Sequence, residues 1–173
     1  MEGSSLALYI HWPFCKIKCP YCDFNSYKRE RTNQSHWLKA YLRALELWSS
    51  RLDKREIKSI FFGGGTPSLL DPDFVAMVLQ KIDSLWSING NCEITIEANP
   101  NSISESKFKL FRDIGINRVS VGVQALNNKD LSNLGRDHNK KKAIEAIEVI
   151  STWFKNYNPV SYTHLTLPTT SAV

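Results

Sequence analysis

Short apolar segments and amphipathic helical patterns alternate four times along this 173-residue chain. The apolar segments are rich in β-branched and aromatic residues, and polar or glycine-rich turns follow them, which is typical of strands in a parallel sheet. The predicted strands are residues 6–11, 57–62, 93–97 and 118–123, with a fifth starting near Asn158. The predicted helices are residues 33–52, 71–85, 105–114 and 140–154, with a short helix within 127–139.

This alternation predicts an α/β fold in which helices cross over between parallel strands, and such crossovers are right-handed. A length of 173 residues suits one domain with a sizeable core. The pattern alone fits both an open, doubly wound sheet and part of a (β/α) barrel.

Local signals mark the ends of several elements. Asp71 is expected to cap the second helix, and Ser102 with Glu105 matches a capping box for the third. Gly115 is expected to close that third helix, and residues 89–91, Asn-Gly-Asn, to end the second strand–helix unit. The apolar stripe of the first helix, which is expected to pack on the core, contains Trp37, Tyr41, Leu45 and Trp48.

Three of the four cysteines, Cys15, Cys19 and Cys22, lie within eight residues. Thiolates are soft ligands, so this group favours zinc or an iron–sulfur cluster, although three unconnected buried cysteines would give the same spacing. A four-iron cluster ordinarily takes four cysteines, and three would leave one iron open to another ligand. Cys92 is far along the chain in a strand-like context and is expected to be a small buried residue.

The segment Tyr9-Ile-His-Trp-Pro-Phe-Cys15, followed by Cys19 and by Tyr21 next to Cys22, resembles the radical SAM superfamily. Within that superfamily it is similar to the family that unites oxygen-independent coproporphyrinogen III oxidases with the HemW heme chaperones. The resemblance implies a partial (β/α) barrel of the radical SAM type, truncated here after about four βα units.

The resemblance covers residues 6–161, nearly the whole chain. Residues 1–161 are therefore expected to be the N-terminal part of a radical SAM core domain. Residues 162–173 lack Asp, Glu, Lys and Arg, are rich in threonine, and miss the aspartate expected after a fifth strand. We expect these last residues to be a non-native tail.

The resemblance also implies the cofactors. Cys15, Cys19 and Cys22 would hold a [4Fe-4S] cluster, and S-adenosylmethionine (SAM) would bind the open iron. In this superfamily one electron from the reduced cluster cleaves SAM to a 5′-deoxyadenosyl radical. Phe14, Tyr21 and Phe24 are placed to form an apolar collar around the cluster, and heme is a further ligand in the chaperone branch.

Most of the expected SAM contacts follow predicted strands, at the sheet edge where α/β proteins bind ligands. By the resemblance, the glycine run, residues 63–65 with Thr66 after it, would meet the methionine end of SAM. Glu97 would meet the ribose hydroxyls and Arg136 a carboxylate. Without the resemblance, these residues also fit a ligand-free loop, a strand-end carboxylate and a surface charge. His11 is expected to be a structural hydrogen-bonding residue. The full set of expected SAM contacts is Tyr9, Tyr21, Gly64, Gly65, Thr66, Glu97, Gln124 and Arg136.

Two functions remain open at this point. The chain could belong to a heme chaperone or to an oxidase that decarboxylates coproporphyrinogen III. The oxidases usually carry another cysteine two positions after the third ligand, where this chain has Phe24, and a segment before the first strand, which here begins at Leu6. These differences favour the chaperone, whose partners would be heme or a porphyrinogen, a reductant protein and a heme acceptor that the sequence does not identify.

Charge, hydropathy and cysteine content indicate which partners and which cellular location to expect. The net charge of +5 is moderate, and the run 140–142 of lysines is typical of a solvated helix start, so no nucleic-acid partner is expected. No segment has the length and hydropathy of a membrane span, and no signal peptide is evident. Four cysteines with three clustered indicate a reducing compartment, so we expect a cytoplasmic protein.

Overall fold

The computed structural model describes residues 5–29, 31–52 and 55–162. Its strands are β1 (Leu6–Trp12), β2 (Phe14–Cys15), β3 (Tyr27–Lys28), β4 (Ile57–Gly64), β5 (Ile88–Ala98), β6 (Arg118–Gln124) and β7 (Asn156–Ser161). Its α-helices are α1 (Gln34–Ser49), α2 (Pro72–Trp86), α3 (Glu105–Asp113), α4 (Asn128–Asn133) and α5 (Lys140–Trp153). Short 3-10 turns occupy Pro67–Leu69 and Pro100–Ser102. Of the predicted tail, everything after Tyr162 lies outside the described residues.

Five parallel strands form the main sheet, in the order β1-β4-β5-β6-β7. Strands β2 and β3 form a separate two-stranded ladder. A doubly wound sheet reverses its strand order at one point, whereas a barrel adds each new strand on the same side of the last. In the described main sheet, each successive strand along the chain lies on the same side of the one before it. The sheet is therefore wound as part of a (β/α) barrel.

The core lies between the sheet and the helices that cover its outer face. In β4, Ile60 and Phe62 are 1% and 0% exposed, whereas Phe61 between them points to the other face and is half-buried. The opposite, inner face carries polar side chains, and Arg118 donates to the Asn158 side chain at 2.6 Å there. From α2 the core receives Phe74, Val75, Val78, Leu79, Ile82 and Trp86.

Helix α1 follows the predicted stripe for only part of its length. Leu45 is buried, and Trp37 and Tyr41 pack against the core from its rim. The prediction for Trp48 is wrong, because its side chain is 55% exposed and the Arg51 guanidinium lies over its ring at 5.9 Å. The last turn of α1 therefore contributes a cation–π contact in place of core packing.

Strand β5 begins earlier than predicted, so the expected break at residues 89–91 is wrong. The pairing with β4 passes from Ile57 opposite Ile88 to Ser59 opposite Glu93, which leaves extra residues bulged out of the ladder. Within the bulge the Asn89 side chain accepts from the Asn91 N–H at 2.7 Å. The turn-forming sequence thus produces a bulge inside a strand.

The predicted capping box is also wrong. Ser104, rather than Ser102, is the N-cap of α3, and its side chain makes no capping hydrogen bond. A 3-10 turn intervenes, and within it the Ser102 hydroxyl donates to the Asn99 carbonyl at 2.6 Å. Asp71 precedes α2 as predicted but likewise makes no side-chain cap. Gly115 does close α3, with a φ of +109° that a residue with a side chain rarely adopts.

None of the helices in the described ranges is both long enough and apolar enough to cross a membrane.

We expect Phe108→Ala to lower the free energy of unfolding by about 3–5 kcal/mol, the usual loss for a buried aromatic ring. Phe108 is 0% exposed and packs edge-on against Phe111 and Phe154. Leu110→Ala on the same helix should cost less than about 0.5 kcal/mol, because Leu110 is 51% exposed. Chemical denaturation measures both variants, and equal losses would contradict the described packing of α3.

Candidate functional site

The carboxyl ends of the five main-sheet strands surround a cleft of about 200 Å³. The cysteine loop, residues 13–29 between β1 and α1, forms one wall, and the segments that end β4, β5, β6 and β7 form the others. Of the residues predicted to hold the cofactors, the cleft is lined by Cys15, Cys19, Cys22, Tyr21, Gly64, Gly65, Thr66, Glu97, Gln124 and Arg136.

The cysteine loop is folded back on itself. Strands β2 and β3 pair at its base, where the Arg29 N–H donates to the Cys15 carbonyl at 2.9 Å. Across the loop the Lys18 ammonium donates to the Phe24 carbonyl at 2.6 Å and to the Ser26 hydroxyl at 2.9 Å. These bonds turn the loop so that its three cysteines, all half-buried free thiols, line the same cleft.

The three thiols line one cleft without forming a compact metal site. Within the described ranges, no three His, Cys, Asp or Glu side chains come close enough to hold one metal ion together. A four-iron cluster places each thiolate on a separate iron, so it requires thiols spread around a common volume. Thiolates are the ligands that such clusters take, so Cys15, Cys19 and Cys22 are the residues of this cleft that could hold one. Cys92, by contrast, is 3% exposed in the core, as predicted for a small buried residue.

The glycine run at the end of β4 is packed against the chain's own residues. A Cβ at Gly64 would lie 2.5 Å from the His11 ring, and one at Gly65 would lie 2.7 Å from the Phe14 carbonyl oxygen. The Thr66 N–H donates to that same carbonyl at 2.9 Å. The missing side chains therefore let the cysteine loop approach the sheet. The Gly64 N–H does not bond to that loop and donates to Glu97.

Glu97 at the end of β5 accepts a hydrogen bond from the Gly64 N–H at 3.1 Å. Burial raises the pKa of the Glu97 carboxyl, and the Gly64 N–H and the nearby His11 offset only part of that rise. The His11 ring contacts the Asn25 carbonyl at 2.9 Å through Nε2, which is the structural role predicted for it. Glu97 thus links the glycine run to the cleft as a partly desolvated carboxyl group.

The end of β6 holds a strained and incompletely paired side chain. Gln124 is 8% exposed and has a φ of +69°, a left-handed conformation that costs about 1–3 kcal/mol for a residue with a side chain. Its Oε1 is buried without a hydrogen-bond partner in the described part of the chain. A Cβ at Gly122 would lie 2.9 Å from the Gln124 Nε2, so the side chain folds over a glycine.

Arg136 reaches across the cleft from the turn after α4. Its Nη1 donates to the Cys19 sulfur at 3.4 Å and to the Tyr21 hydroxyl at 3.2 Å, and its Nη2 donates to the Gly122 carbonyl at 2.9 Å. Burial raises the pKa of Tyr21 to about 12, and the Arg136 charge offsets part of that rise. One side chain thereby connects the cysteine loop to β6.

Tyr9 is the predicted site residue that does not line the cleft. It is 58% exposed on β1 and stacks on Phe61, with ring centroids 5.8 Å apart. Sequence reasoning missed several cleft residues in the cysteine loop, within the strands or just after them, namely Lys18, Asn99, Ser120, Val160 and Tyr162. For Asn99 and Tyr162, which directly follow β5 and β7, the position at a strand end was the available signal. The Tyr162 N–H donates to the Gln124 carbonyl at 2.8 Å.

The family model that describes the radical SAM superfamily matches residues 9–171. The chain belongs to the radical SAM superfamily. Membership implies, in general, a [4Fe-4S] cluster and SAM.

Curated relatives of this radical SAM chain include the heme chaperone HemW of Buchnera aphidicola (subsp. Schizaphis graminum), 42% identical over 88% of the chain and 41% of the relative. HemW of Escherichia coli is 37% identical over 84% of the chain and 39% of the relative. The mitochondrial radical S-adenosyl methionine domain-containing protein 1 of Bos taurus is 39% identical over 82% of the chain and 32% of the relative. The chain thus spans about two fifths of the HemW relatives it matches.

Among solved structures, coproporphyrinogen III oxidase (HemN) from Escherichia coli matches with a TM-score of 0.83 at 23% identity, over 92% of this chain and 37% of that one. The structure of anSMEcpe with bound AdoMet matches with a TM-score of 0.61 at 20% identity, over 90% of this chain and 42% of that one. At these identities the likeness concerns the fold, and it confirms the predicted partial barrel of the radical SAM type.

We expect Glu97→Gln to stabilise the chain at neutral pH and to lose that advantage in acid. Because the pKa of Glu97 is raised in the folded state, the folded chain binds the proton more tightly than the unfolded chain does. Wild-type stability should therefore fall as the pH rises above 4.5, the ordinary pKa of this carboxyl, whereas the variant lacks this loss. Denaturant unfolding at several pH values tests the sign.

The control is Glu148→Gln, which removes one negative charge from the exposed side of α5. A Glu97→Gln variant that is less stable than wild type by the same amount at every pH would contradict the burial effect at Glu97.

Proposed function

We propose that this chain binds a [4Fe-4S] cluster and SAM in the cleft and serves in a HemW-like heme chaperone. The observation that supports the site most directly is the position of three free thiols in the same cleft as the ends of β4, β5 and β6. Support for the chaperone comes from HemW relatives that are 35–42% identical to this chain. Because the chain spans two fifths of their length, the activity of the whole protein is part of the proposal.

The residues present fit the two cofactors. Cys15, Cys19 and Cys22 would hold the cluster through their thiolates. Gln124 and Arg136, which both line the cleft, each carry a buried polar atom, Oε1 and Nε, that has no hydrogen-bond partner in the described ranges. A polar ligand that reached these atoms would complete their hydrogen bonding. When bound, the cluster and SAM would supply one-electron cleavage of the sulfonium.

The side chains around the thiols would orient SAM and exclude water. Arg136 supplies a fixed positive charge for a carboxylate. Glu97 has one oxygen bonded to the Gly64 N–H and a second for ribose hydroxyls. Tyr21 and Phe24 line the cleft beside the cysteines and would limit the access of water and oxygen to a bound cluster.

Anaerobic reconstitution of the chain with iron and sulfide should give about four irons per chain and the visible absorption of thiolate-ligated iron. Cys15→Ala, Cys19→Ala or Cys22→Ala should each abolish this absorption, because each removes one ligand. Cys92→Ala is the matched control and should retain it, since Cys92 is 3% exposed and does not line the cleft. Stoichiometric zinc without iron, in protein kept anaerobic throughout, would contradict the cluster.

Phe24 bears on the choice between chaperone and oxidase. It lines the cleft two residues after Cys22 and is 58% exposed. A cysteine at this position would add a thiol beside the reacting centre, whereas phenylalanine can neither ligate metal nor carry a proton. Oxidative decarboxylation remains the second candidate function, because the fold matches HemN with a TM-score of 0.83.

We expect the full-length protein to bind heme and SAM without turning over coproporphyrinogen III. The assay follows carbon dioxide release under anaerobic conditions with a reductant and SAM, and HemN from Escherichia coli serves as the positive control. Heme binding is measured by its visible spectrum in the same preparations. Multiple turnovers to protoporphyrinogen IX would replace the chaperone with the oxidase.

The partners of this function are proposed from the same chemistry. Heme or a porphyrinogen would be the ligand, a reductant protein would supply the electron, and a separate protein would accept the heme. Thiols that must stay free for a cluster require a reducing environment, so we place the protein in the cytoplasm.

A further inference from the structure

The turn after α4 packs directly against the cysteine loop. Gly135 has a φ of +64°, and a Cβ there would lie 2.7 Å from the Cδ of Pro20. Pro20 lies between Cys19 and Tyr21, so the turn touches the loop at the centre of its cysteine segment. The proline ring cannot rotate away as a flexible side chain would, which makes glycine necessary at residue 135.

The next residue of the turn adds directed hydrogen bonds to the same segment. Arg136 Nη1 donates to the Cys19 sulfur at 3.4 Å and to the Tyr21 hydroxyl at 3.2 Å. Its Nη2 donates to the Gly122 carbonyl at 2.9 Å, which fixes the guanidinium to β6. Because the guanidinium is planar, these bonds hold the loop in one orientation relative to the sheet.

The contacts that hold the cysteine loop near Cys15 differ from those that hold it near Cys19. Near Cys15 the backbone is held by the β2–β3 ladder and by the bond from the Arg29 N–H. Cys19 lies outside β2 and β3. The Cys22 N–H donates to the Cys19 carbonyl at 3.1 Å, so the position of Cys22 depends on that of Cys19. The bonds of Lys18 and His11 hold residues 24–26, so the contacts with Gly135 and Arg136 are the ones that act at Cys19 itself.

We propose that Gly135 and Arg136 form a clamp that positions Cys19 for the cluster before SAM binds. This inference rests on the proposed cluster and deepens it, since it assigns Arg136 a role in holding a cluster ligand besides any role toward SAM. The clamp acts in the chain without ligands, because its contacts are all between the chain's own atoms. Gly135 and Arg136 are positioning residues in this scheme.

The first test measures thiol accessibility in the chain without iron. Gly135→Ala and Arg136→Lys should each raise the alkylation rate of Cys19 about fivefold, the factor that one ordinary hydrogen bond contributes. Lysine keeps the charge but loses the fork that reaches two partners, and Tyr21→Phe should give part of the same effect. The alkylation rate of Cys15, held by β2 and β3, should not change and serves as the internal standard.

The control for backbone strain is Gly115→Ala. Gly115 also has a positive φ, +109°, but the nearest atom to a Cβ there is 4.0 Å away, on Ile94, far from the loop. This variant carries the strain of a left-handed alanine without the clash with Pro20, and Cys19 should react at the wild-type rate. Unchanged Cys19 reactivity in Gly135→Ala and Arg136→Lys, with cooperative unfolding retained, would overturn the clamp.

The second test measures how fast the reconstituted chain loses iron to a ferrous chelator in the absence of SAM. Arg136→Lys should release iron about fivefold faster than wild type. If Arg136 acts only on SAM, iron release without SAM will match wild type, and this result would overturn the clamp. A wild-type chain that takes up no iron would defeat the proposed function itself, and the alkylation rates would then decide the clamp alone.

Discussion

The cysteine loop can lie against the end of β4 only because the glycine run there has no side chains. A Cβ at Gly65 would lie 2.7 Å from the Phe14 carbonyl oxygen, and backbone atoms cannot move aside as a flexible side chain can. The Thr66 N–H donates to that carbonyl, so the glycine run also provides a hydrogen bond that docks the loop. Every thiol on the cleft wall depends on this close approach of two backbones.

The rest of the cleft is costly to maintain without a ligand. A buried polar group without a partner costs about 1–3 kcal/mol, and Gln124 Oε1 and Arg136 Nε are both in that state in the described ranges. Gln124 adds backbone strain, with its φ of +69°. A ligand that hydrogen-bonds to both groups would recover part of this free energy, so the arrangement favours a polar occupant such as SAM.

The sequence predicted the parts of the fold that follow from local periodicity. Alternating strands and helices, and the residues at the strand ends, were evident because each strand carries its own apolar pattern and its own turn. The direction in which strands are added is a property of the whole sheet, and the pattern left it open. Tyr9 was placed at the site by resemblance alone, and its stacking on Phe61 depends on the neighbouring strand.

Errors arose where two local signals competed for the same residues. Asn89 and Gly90 are a strong turn signal, but the chain forms a bulge because β5 gains pairing on both sides of it. Ser102 fits a capping box, but the preceding 3-10 turn uses its hydroxyl first. The contact of Arg136 with Cys19 spans more than a hundred residues of sequence, and no local pattern could have indicated it.

The clamp and a carboxylate site at Arg136 are compatible. A guanidinium has five N–H donors. Three of them serve Cys19, Tyr21 and the Gly122 carbonyl, and Nε has no partner in the described part of the chain. One hydrogen on Nη2 also remains, so two N–H donors are free while the other three make these contacts. A carboxylate accepts two such donors at once, which allows the same arginine to hold the cysteine loop first and a charged ligand afterwards.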